Sequence, residues 1–522
     1  MMKKFFCVVV AVAATIVMSS CSKETENAKF FRAVAENAAE GGKVAYTDGS
    51  LLWQAGDQIA IYDASHARAV YGLAAGVGTD TAEYAYATGA TLASAPYSVV
   101  YPASCSQTFG QISLPEVQHT PDGSLQGLPM YAVSNDFDLK FYHTCGVVRF
   151  RVSASTTVKL SRIAVATNRN INGTGSVSGS GRSTRLEIGE GTKVTTLSCD
   201  AAQSISSPRD FYMYLPVGTY STFRILMTAA DGSVCSKSAT SNIVVERGKI
   251  TTITLSNLTF TAHRFSTTSA TSVVFSPGNL QYIGSAASSY WKFADRQYDY
   301  FGTDFQNGTT SSNVDRDLFG WGTSGWNNGA TYYNPWATDA NGASYCQRSE
   351  LTGSYVHADW GKHNAIRNGG NVSGQWRTLT KKEWDSILFE RSASTVNGTP
   401  DARYAKCRIG GGRNGVIIFP DDYTHPAGVA QPSGINTATA TYTVNQYTEA
   451  EWLQIEAAGA VFLPASGYRS GTTVSNVGEY GRYWSSTGYN SPMAYSMFLR
   501  EDRLSANNIA KALGFSVRLV KD

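Results

Sequence analysis

One stretch, Cys145-Gly-Val-Val-Arg-Phe-Arg-Val152, decides the fold of the first half of the chain. Apolar side chains occupy every second position from Val148 to Val152, and Arg149 and Arg151 stand between them. A period of two places the apolar side chains on one face of an extended strand and the charged ones on the other. The stretch therefore predicts a β-strand with one face buried and one face in water.

Segments of the same kind lie on both sides of this strand. They are short, rich in aromatic and β-branched residues, and separated by turn signals about every ten residues, with no convincing helix among them. The clearest are 53–62, 97–102, 211–218, 223–227 and 247–255. This spacing predicts two tandem β-sandwiches, over residues 43–138 and 139–260.

The remainder of the chain, residues 261–522, has a different composition. Nine of the ten tryptophans lie beyond residue 262. Two segments begin with a threonine, Thr380 or Thr448, that is followed three residues later by a glutamate, which is a capping box at the start of a helix. Strand patterns surround both helices, so this block is predicted to be an α+β domain with two short helices. The whole chain is predicted to be mainly β.

The N-terminus has the pattern of an exported lipoprotein. Residues 1–20 form a signal peptide, in which Lys3 and Lys4 precede an apolar run too short to span a bilayer. The small residues before Cys21 resemble the bacterial lipobox, and we expect a lipid on Cys21 to hold the protein on a membrane. Residues 21–42 are polar and rich in Ala and Glu, so they are interpreted as a tether.

The overall charge argues against a nucleic-acid partner. The formal net charge is +3, and the leader carries two lysines and no acid, so the mature chain has a charge of +1. A nearly neutral chain lacks the basic surface that nucleic acid requires. Charged residues make up 16% of the sequence, against about 25% in average soluble proteins. This composition suits extracellular β-structure with polar loops.

Six spaced motifs in residues 43–258 carry a resemblance to a known family. They are Trp53-x-x-Gly56-Asp57-x-Ile59-x-Ile61-Tyr62, Tyr101-Pro102, Leu128-Pro129-Met130, Phe141-Tyr-His143, Leu215-Pro216 and Gly248-Lys249. Together they resemble the fimbrillin-like lipoproteins of Bacteroidota. The resemblance implies two transthyretin-like β-sandwiches, a place in the outer membrane or a fimbrium, and a role as a pilus stalk, anchor or tip subunit with other fimbrial subunits as partners.

The same resemblance directs attention to Arg32. In stalk fimbrillins, a protease cuts after an arginine in the N-terminal region and so frees a groove for a neighbour's donor strand. Arg32 is a candidate for that position. An ordinary arginine in a linker is the alternative interpretation.

Three ordered motifs in the last block carry a second resemblance. They are Trp376-Arg377-Thr-Leu-Thr380-x-x-Glu383-Trp384, Tyr483-Trp484-Ser485-Ser486-Thr487 and Gly514-Phe515-Ser516-Val517-Arg518. They resemble the bacterial "major paralogous" domain, which is distantly similar to the formylglycine-generating enzyme and to C-type lectins. The resemblance implies a C-type-lectin-like unit with joined terminal strands and long loops that bind sugars or proteins.

No motif in the sequence supports catalysis. A nucleophile elbow, a zinc-protease motif and a Walker A motif are all missing. Gly410-x-Gly412-x-x-Gly415 matches the dinucleotide fingerprint, but it lies between two predicted strands, so we expect a hairpin turn. Cys346 and Cys407 lie outside the copper-thiol context of the formylglycine-generating enzyme, and either a disulfide or two buried free thiols is expected. We therefore expect neither a cofactor nor enzymatic activity.

Two groups of residues offer metal ligands. Asp421 and Asp422 are adjacent carboxylates of the kind that calcium prefers, although no sugar–calcium motif accompanies them. His357, Asp359 and His363 lie close together in sequence, but no predicted helix aligns them. We expect no resident metal.

An aromatic, Gly-rich loop is the candidate ligand surface. Aromatic faces beside amides and hydroxyls suit the C–H faces of sugars and the centres of protein interfaces. The alternative is that these rings pack the long loops themselves. The candidate residues are Trp321, Trp326, Asn327, Tyr332, Tyr333 and Trp336.

The sequence therefore predicts a lipid-anchored surface protein that acts as an adhesin or a fimbrial tip or accessory subunit. Its last domain is expected to bind a glycan or a surface protein. Two alternatives stay open, namely a lipoprotein that captures glycans for an uptake system and an enzyme of the formylglycine-generating type.

Overall fold

The computed structural model describes residues 30–36, 52–303, 311–326, 333–337 and 350–522. The fold is mainly β, as predicted. Three domains follow one another along the chain, and they are called here the barrel domain, the second domain and the third domain. No helix among the described residues combines the length and the hydropathy needed to cross a bilayer.

The chain begins with nine strands, most of which form the barrel domain. They are β1 Phe31–Ala35, β2 Gln58–Tyr62, β3 Arg68–Ala75, β4 Thr81–Gly89, β5 Tyr97–Tyr101, β6 Gln111–Leu114, β7 Val117–Thr120, β8 Met130–Ser134 and β9 Asp138–His143. Seven of them close into a barrel in the order β1-β4-β3-β2-β5-β8-β9. The unit that the sequence predicts as a β-sandwich is therefore a closed barrel, and β1 closes it by pairing with both β4 and β9.

The second domain holds the strand from which the analysis began. Its strands are β10 Cys145–Ala154, β11 Lys159–Thr167, β12 Gly173–Ser178, β13 Arg185–Glu190, β14 Val194–Ser204, β15 Arg209–Pro216, β16 Gly218–Tyr220, β17 Phe223–Ala229, β18 Val234–Ser238, β19 Ile243–Val245 and β20 Ile250–Leu258. A β15-β10-β20 sheet and a larger β18-β17-β11-β14-β7 sheet enclose the core. Val148, Phe150 and Val152 are fully buried in that core, as the alternation predicts.

The boundary between these two domains is not a simple cut at residue 138. Strands β6 and β7 lie in the sequence of the first unit but pair with β12 and β14 of the second. Strand β9 also runs past the predicted boundary to His143 and completes the barrel. Local strand patterns could not show this exchange, because pairing partners are chosen by tertiary contacts.

The third domain contains the remaining strands and all three α-helices of the described residues. Its strands are β21 Phe265–Ser266, β22 Ser272–Phe275, β23 Leu280–Ile283, β24 Tyr290–Phe293, β25 Arg377–Thr378, β26 Tyr404–Ile409, β27 Arg413–Ile418, β28 Gln446–Tyr447, β29 Val461–Pro464, β30 Tyr468–Ser470, β31 Thr473–Ser475, β32 Gly481–Gly488, β33 Met493–Arg500, β34 Arg503–Ala510 and β35 Leu519–Lys521. Its helices are α1 Trp360–His363, α2 Lys381–Asp385 and α3 Glu449–Ala457.

Both predicted helices of the third domain are present. Thr380 caps α2 and Thr448 caps α3, and in each case the glutamate three residues later bonds back to the cap. Helix α2 continues as a π-helical turn over Ser386–Glu390, and the one-turn helix α1 is an addition. Strand β22 pairs with β35, so the ends of the domain are joined as expected. The Gly410–Gly412 turn connects the antiparallel strands β26 and β27, which confirms the hairpin.

A buried contact joins the second and third domains. Helix α3 places Leu453 against Ala164, Leu226 and other apolar side chains of the second domain. Beside this patch, the guanidinium of Arg162 donates to the carboxylate of Glu456 on α3, and both side chains are buried. The apolar patch and the buried ion pair therefore lie side by side at one contact between the two domains.

Candidate functional site

Strand β1 is the feature of the barrel domain that bears most directly on function. It pairs antiparallel with β4 and parallel with β9, so both of its edges are used. The backbone N–H of Arg32 donates to Phe137 O at 2.8 Å, and that of Glu36 donates to Phe141 O at 2.8 Å. The prediction of a polar tether over residues 21–42 is wrong for residues 31–35, because they form a strand.

The side chains of β1 complete the barrel core. Phe31, Ala33 and Ala35 are buried, whereas Arg32 and Val34 face outward. The Phe31 ring lies 5.1 Å from the rings of Tyr71 and Tyr97 in edge-to-face contact. The sequence does not show this alternation clearly, because the exposed Val34 is apolar and the segment is short.

Arg32 lies within this strand rather than in a linker. Its side chain is 71% exposed, and its guanidinium lies 3.8 Å from Glu83 and 4.0 Å from Asp138 on the two neighbouring strands. The peptide bonds around it are held by backbone hydrogen bonds on both sides. An intact barrel therefore presents the Arg32 side chain to solvent while holding its backbone in the sheet.

A cluster at the end of β1 connects it to the second domain. The carboxylate of Glu36 accepts from Arg247 at 2.6 and 3.2 Å, and it also accepts from the backbone N–H of His143 at 3.3 Å. Burial lowers the pKa of His143 to about 4, against the opposing effect of Glu36. The imidazole is therefore neutral at physiological pH, and the Glu36–Arg247 pair supplies the ionic contact.

The predicted aromatic loop of the third domain divides into buried and half-buried rings. Trp321 is fully buried, and its Nε1 donates to Ser485 O at 2.8 Å. Tyr333 is also buried. These two side chains pack the domain, so their rings do not face solvent in this structure.

Trp326 and Trp336 are half-buried at the edge of the same core. The Trp326 ring makes edge-to-face contacts with Tyr333 at 5.1 Å and Tyr355 at 5.9 Å. Asn327 and Tyr332 lie outside the described residues. The role of this loop in ligand binding stays a prediction, and Trp326 and Trp336 are the described residues that retain an exposed edge.

The carboxylates Asp421 and Asp422 are engaged separately. Asp421 accepts from Arg391 and from the backbone and hydroxyl of Ser266 at 2.9 and 2.6 Å. Asp422 lies 3.2 Å from Nδ1 of His263. A carboxylate already neutralised by a guanidinium has little tendency to hold a cation.

Asp359 serves helix α1 rather than a metal. It accepts from the backbone N–H groups of Gly361 at 3.0 Å and Thr378 at 2.8 Å. The rings of His357 and His363 are 5.9 Å apart. Within the described parts of the chain, no group of three or more His, Cys, Asp or Glu residues is placed to hold a metal ion.

The cysteines of the described residues are buried, and none of them is bonded to another described cysteine. They are Cys105, Cys145, Cys199, Cys235 and Cys407. Burial raises the pKa of Cys407 well above its ordinary value, which keeps the thiol protonated and unreactive. Cys346 lies outside the described residues, as does Cys21, so a Cys346–Cys407 bond and the lipid anchor stay predictions.

Comparison with protein families gives one partial match. Residues 432–520 match a family described as a domain of unknown function (DUF8237). The match lies within the third domain and spans α3 and the last sheets. No curated protein matches the chain.

Comparison with solved structures gives low-scoring similarities to surface proteins. A candidate cell adhesion protein from Bacteroides ovatus is 10% identical over 45% of this chain and 96% of its own, with a TM-score of 0.30. A fimbrial protein from Bacteroides ovatus is 11% identical over 94% and 99%, with a TM-score of 0.22. The tip fimbrial protein Mfa3 from Porphyromonas gingivalis, with a C-terminal truncation, is 10% identical over 44% and 97%, with a TM-score of 0.24. At these identities and scores, the similarities do not define the function of this chain.

Proposed function

We propose that this chain is a surface lipoprotein that acts as an adhesin or as a tip or accessory subunit of a fimbrium. In this proposal, a lipid on Cys21 anchors it in the outer membrane, and the third domain binds a glycan or a surface protein. The observation that carries the proposal is the closure of the barrel by β1. A strand that comes from the N-terminal end of the chain and has both edges paired is suited to replacement by a strand from a neighbour.

The contacts of β1 favour such an exchange. Five residues provide the whole strand, and only Phe31 contributes a large side chain to the core. Loss of β1 would leave the facing edges of β4 and β9 unpaired over four residues each. Unpaired strand edges beside an exposed apolar slot are the usual template for strand addition.

The third domain supplies the recognition part of the proposal. Its terminal strands pair with each other, and the buried ion pair between Arg162 and Glu456 connects it to the second domain. The half-buried Trp326 and Trp336 lie at the edge of its aromatic core.

A strand-exchange measurement tests the assembly part. A site-specific protease sequence is placed between β1 and β2, and the purified protein is cut so that β1 is held by non-covalent contacts alone. A labelled peptide of residues 30–36 is then added in excess. We expect the peptide to enter the barrel and to remain bound through gel filtration.

The control is the same peptide with Phe31→Asp, which places a charge in the apolar slot and is expected to remain free. Incorporation of both peptides would indicate non-specific binding. If neither peptide enters while the cut β1 stays bound, the barrel does not exchange strands and the assembly part of the proposal fails.

An array of glycans and host surface proteins, probed with the intact mature protein, tests recognition. Trp326→Ala is expected to abolish binding to any ligand that is found. Tyr489→Ala serves as the matched control, because Tyr489 is an exposed aromatic residue elsewhere on the third domain. Equal loss in both variants, or binding that survives Trp326→Ala, would place the ligand site elsewhere.

Membrane attachment is tested by Cys21→Ser in the natural host. The variant is expected to leave the membrane fraction, and the surface-exposed fraction accessible to added protease should fall. Unchanged fractionation would remove the lipid anchor from the proposal.

A further inference from the structure

Four arginines are among the twelve residues that line a pocket in the second domain. It has a volume of about 670 Å³ and lies between the turn after β11, strand β13 and the segment that joins β15 to β16. Four guanidinium groups line it, together with one carboxylate, Glu187. The arginines are Arg169, Arg182, Arg185 and Arg247. This arginine pocket lies in a different domain from the aromatic loop, and none of the predicted ligand residues belongs to it.

Two of the four cations lack an acidic partner. Among the residues that the structure describes, neither Arg169 nor Arg185 has a carboxylate within ion-pair distance. Arg185 and Glu187 lie two residues apart on the exposed face of β13. Unpaired guanidinium groups gathered around one concave surface create a positive potential that attracts anions.

Arg169 is seated by the backbone of Gly218. A Cβ atom added to Gly218 would lie only 2.3 Å from Nη1 of Arg169, so the absence of a side chain leaves room for the guanidinium. Next to it, Tyr220 forms a buried part of the wall, and its hydroxyl donates to Pro216 O at 2.6 Å. The exposed Arg169 side chain therefore lays its guanidinium against the Gly218 backbone at the edge of the pocket.

Arg247 is partly neutralised by a residue outside the second domain. Its guanidinium donates to Glu36, which follows β1 directly. The positive charge available to a ligand is thus limited by Glu36, and a change in Glu36 alters the pocket without touching its other walls.

The shape and the walls of the pocket narrow the class of ligand. Its volume lies within the range of about 300–1,000 Å³ that small-molecule sites occupy. Pro216, Val217 and Ile188 add apolar surface beside the guanidinium groups, and Val217 is 41% exposed. A saccharide combines apolar C–H faces with anionic substituents on several carbons, and guanidinium groups bind carboxylate and sulfate oxygens in pairs.

We propose that the arginine pocket is a binding site for an acidic saccharide, recognised through its carboxylate or sulfate groups. Arg169 and Arg185 bind the anionic substituents, and Glu36 sets how much of the Arg247 charge is available. The site does not depend on the aromatic loop, and it is measured on the intact protein with β1 and Glu36 in place, so its test is separate from the tests of the proposed function.

Isothermal titration of the intact mature protein tests this site with two probes, a heparin-derived disaccharide and digalacturonate. We expect binding at low ionic strength that weakens as salt is added, because exposed charges are screened beyond about 10 Å at 0.1 M salt. Binding of the sulfated probe alone, of the uronate alone or of both identifies the preferred anion. Failure of both probes at low ionic strength would overturn the proposal.

Three variants define the site. Arg169→Ala and Arg185→Ala are each expected to weaken binding about 10-fold, the loss of one charge-assisted hydrogen bond. Gly218→Ala keeps every charge but displaces the Arg169 guanidinium, and it should weaken binding to a similar extent. Glu36→Gln should strengthen binding, since it releases Arg247 from its carboxylate partner.

Two controls separate this site from general charge attraction. Arg224→Ala removes an exposed arginine of the same domain outside the pocket, and it should leave affinity unchanged. A hexaglutamate peptide tests a peptide ligand. If the peptide binds as tightly as the saccharides, or if Arg224→Ala weakens binding as much as Arg169→Ala, the proposed saccharide site is ruled out.

Discussion

The barrel domain and the third domain each contain a strand, β1 or β35, that pairs with two neighbours, but the two strands contribute differently to their domains. In the barrel domain, β1 contributes a single large side chain, Phe31, to the core. More than twenty residues separate β1 from β2 in the sequence. In the third domain, β35 lies between β22 and β25, and both Leu519 and Val520 are fully buried. Strand β1 therefore contributes one large apolar side chain to its core and β35 contributes two, which is why the proposed strand exchange is placed at β1 and not in the third domain.

The contact of the third domain with the second depends most on the buried ion pair between Arg162 and Glu456. Glu456→Gln leaves the Arg162 charge buried without its partner, and it should lower the free energy of unfolding by about 3–5 kcal/mol. Denaturant unfolding followed by tryptophan fluorescence measures this loss in the Trp-rich third domain. Glu246→Gln, in the exposed pair with Lys249, is the control and should change stability by at most about 1 kcal/mol.

The packing of β1 into the barrel depends on Phe31. Phe31→Ala should destabilise the barrel domain by about 3 kcal/mol through lost apolar contact and a cavity. Hydrogen exchange resolved by domain should show faster exchange in β4 and β9 and no change in the third domain. Val34→Ala, on the outward face of the same strand, should cost only about 0.5 kcal/mol. Equal effects of the two changes would mean that β1 is held by its backbone alone.

The helix caps sharpen the comparison within the third domain. Thr380→Ala and Thr448→Ala should each cost about 1 kcal/mol, because each removes a side chain that accepts a backbone N–H at a helix start. The Thr448 change should also loosen the contact with the second domain, since α3 carries Leu453 and Glu456. Thermal unfolding of both variants, with Thr472→Ala as a control at an exposed turn residue outside a helix start, measures the difference.

Acid should affect the barrel through Asp63. Its carboxylate accepts from the backbone N–H groups of Ala93, Ser65 and Ala67 and from the Ser65 hydroxyl, which lower its pKa from 3.8 to about 2. A lowered folded-state pKa means that the contribution to stability is full above pH 4 and is lost as the pH falls towards 2. Barrel stability measured between pH 5 and 2 should therefore decline, and Asp63→Asn should flatten that decline.

Sequence patterns predicted regular elements of the second and third domains because those elements depend on contacts between neighbouring residues. The strand at residues 290–293 and the helices capped by Thr380 and Thr448 each depend on contacts within a few residues, which a local pattern records. The alternation around Phe150 likewise predicts which face is buried. The pairing of β6 and β7 with the second domain escaped prediction because it joins residues that are far apart in sequence.

For the candidate sites too, the sequence indicated what depends on neighbouring residues and not what depends on contacts between distant ones. Aromatic composition drew attention to the loop around Trp321, but only packing shows that Trp321 is buried while Trp326 keeps an exposed edge. The arginine pocket has no sequence motif, because its cations come from separate segments that folding brings together. The sequence places Glu36 in the predicted polar tether over residues 21–42, yet its carboxylate accepts from the Arg247 guanidinium just beyond the end of β1.

Local chemistry in the sequence was sufficient to establish a mainly β chain, two capped helices and a nearly neutral charge, because each is a property of neighbouring residues or of composition. The closure of the barrel by β1, the rigid contact through Arg162 and Glu456, and the gathering of arginines around one pocket arise from contacts between distant residues. Such contacts depend on how apolar faces and charges are satisfied together in the folded molecule, so they become visible only in three dimensions.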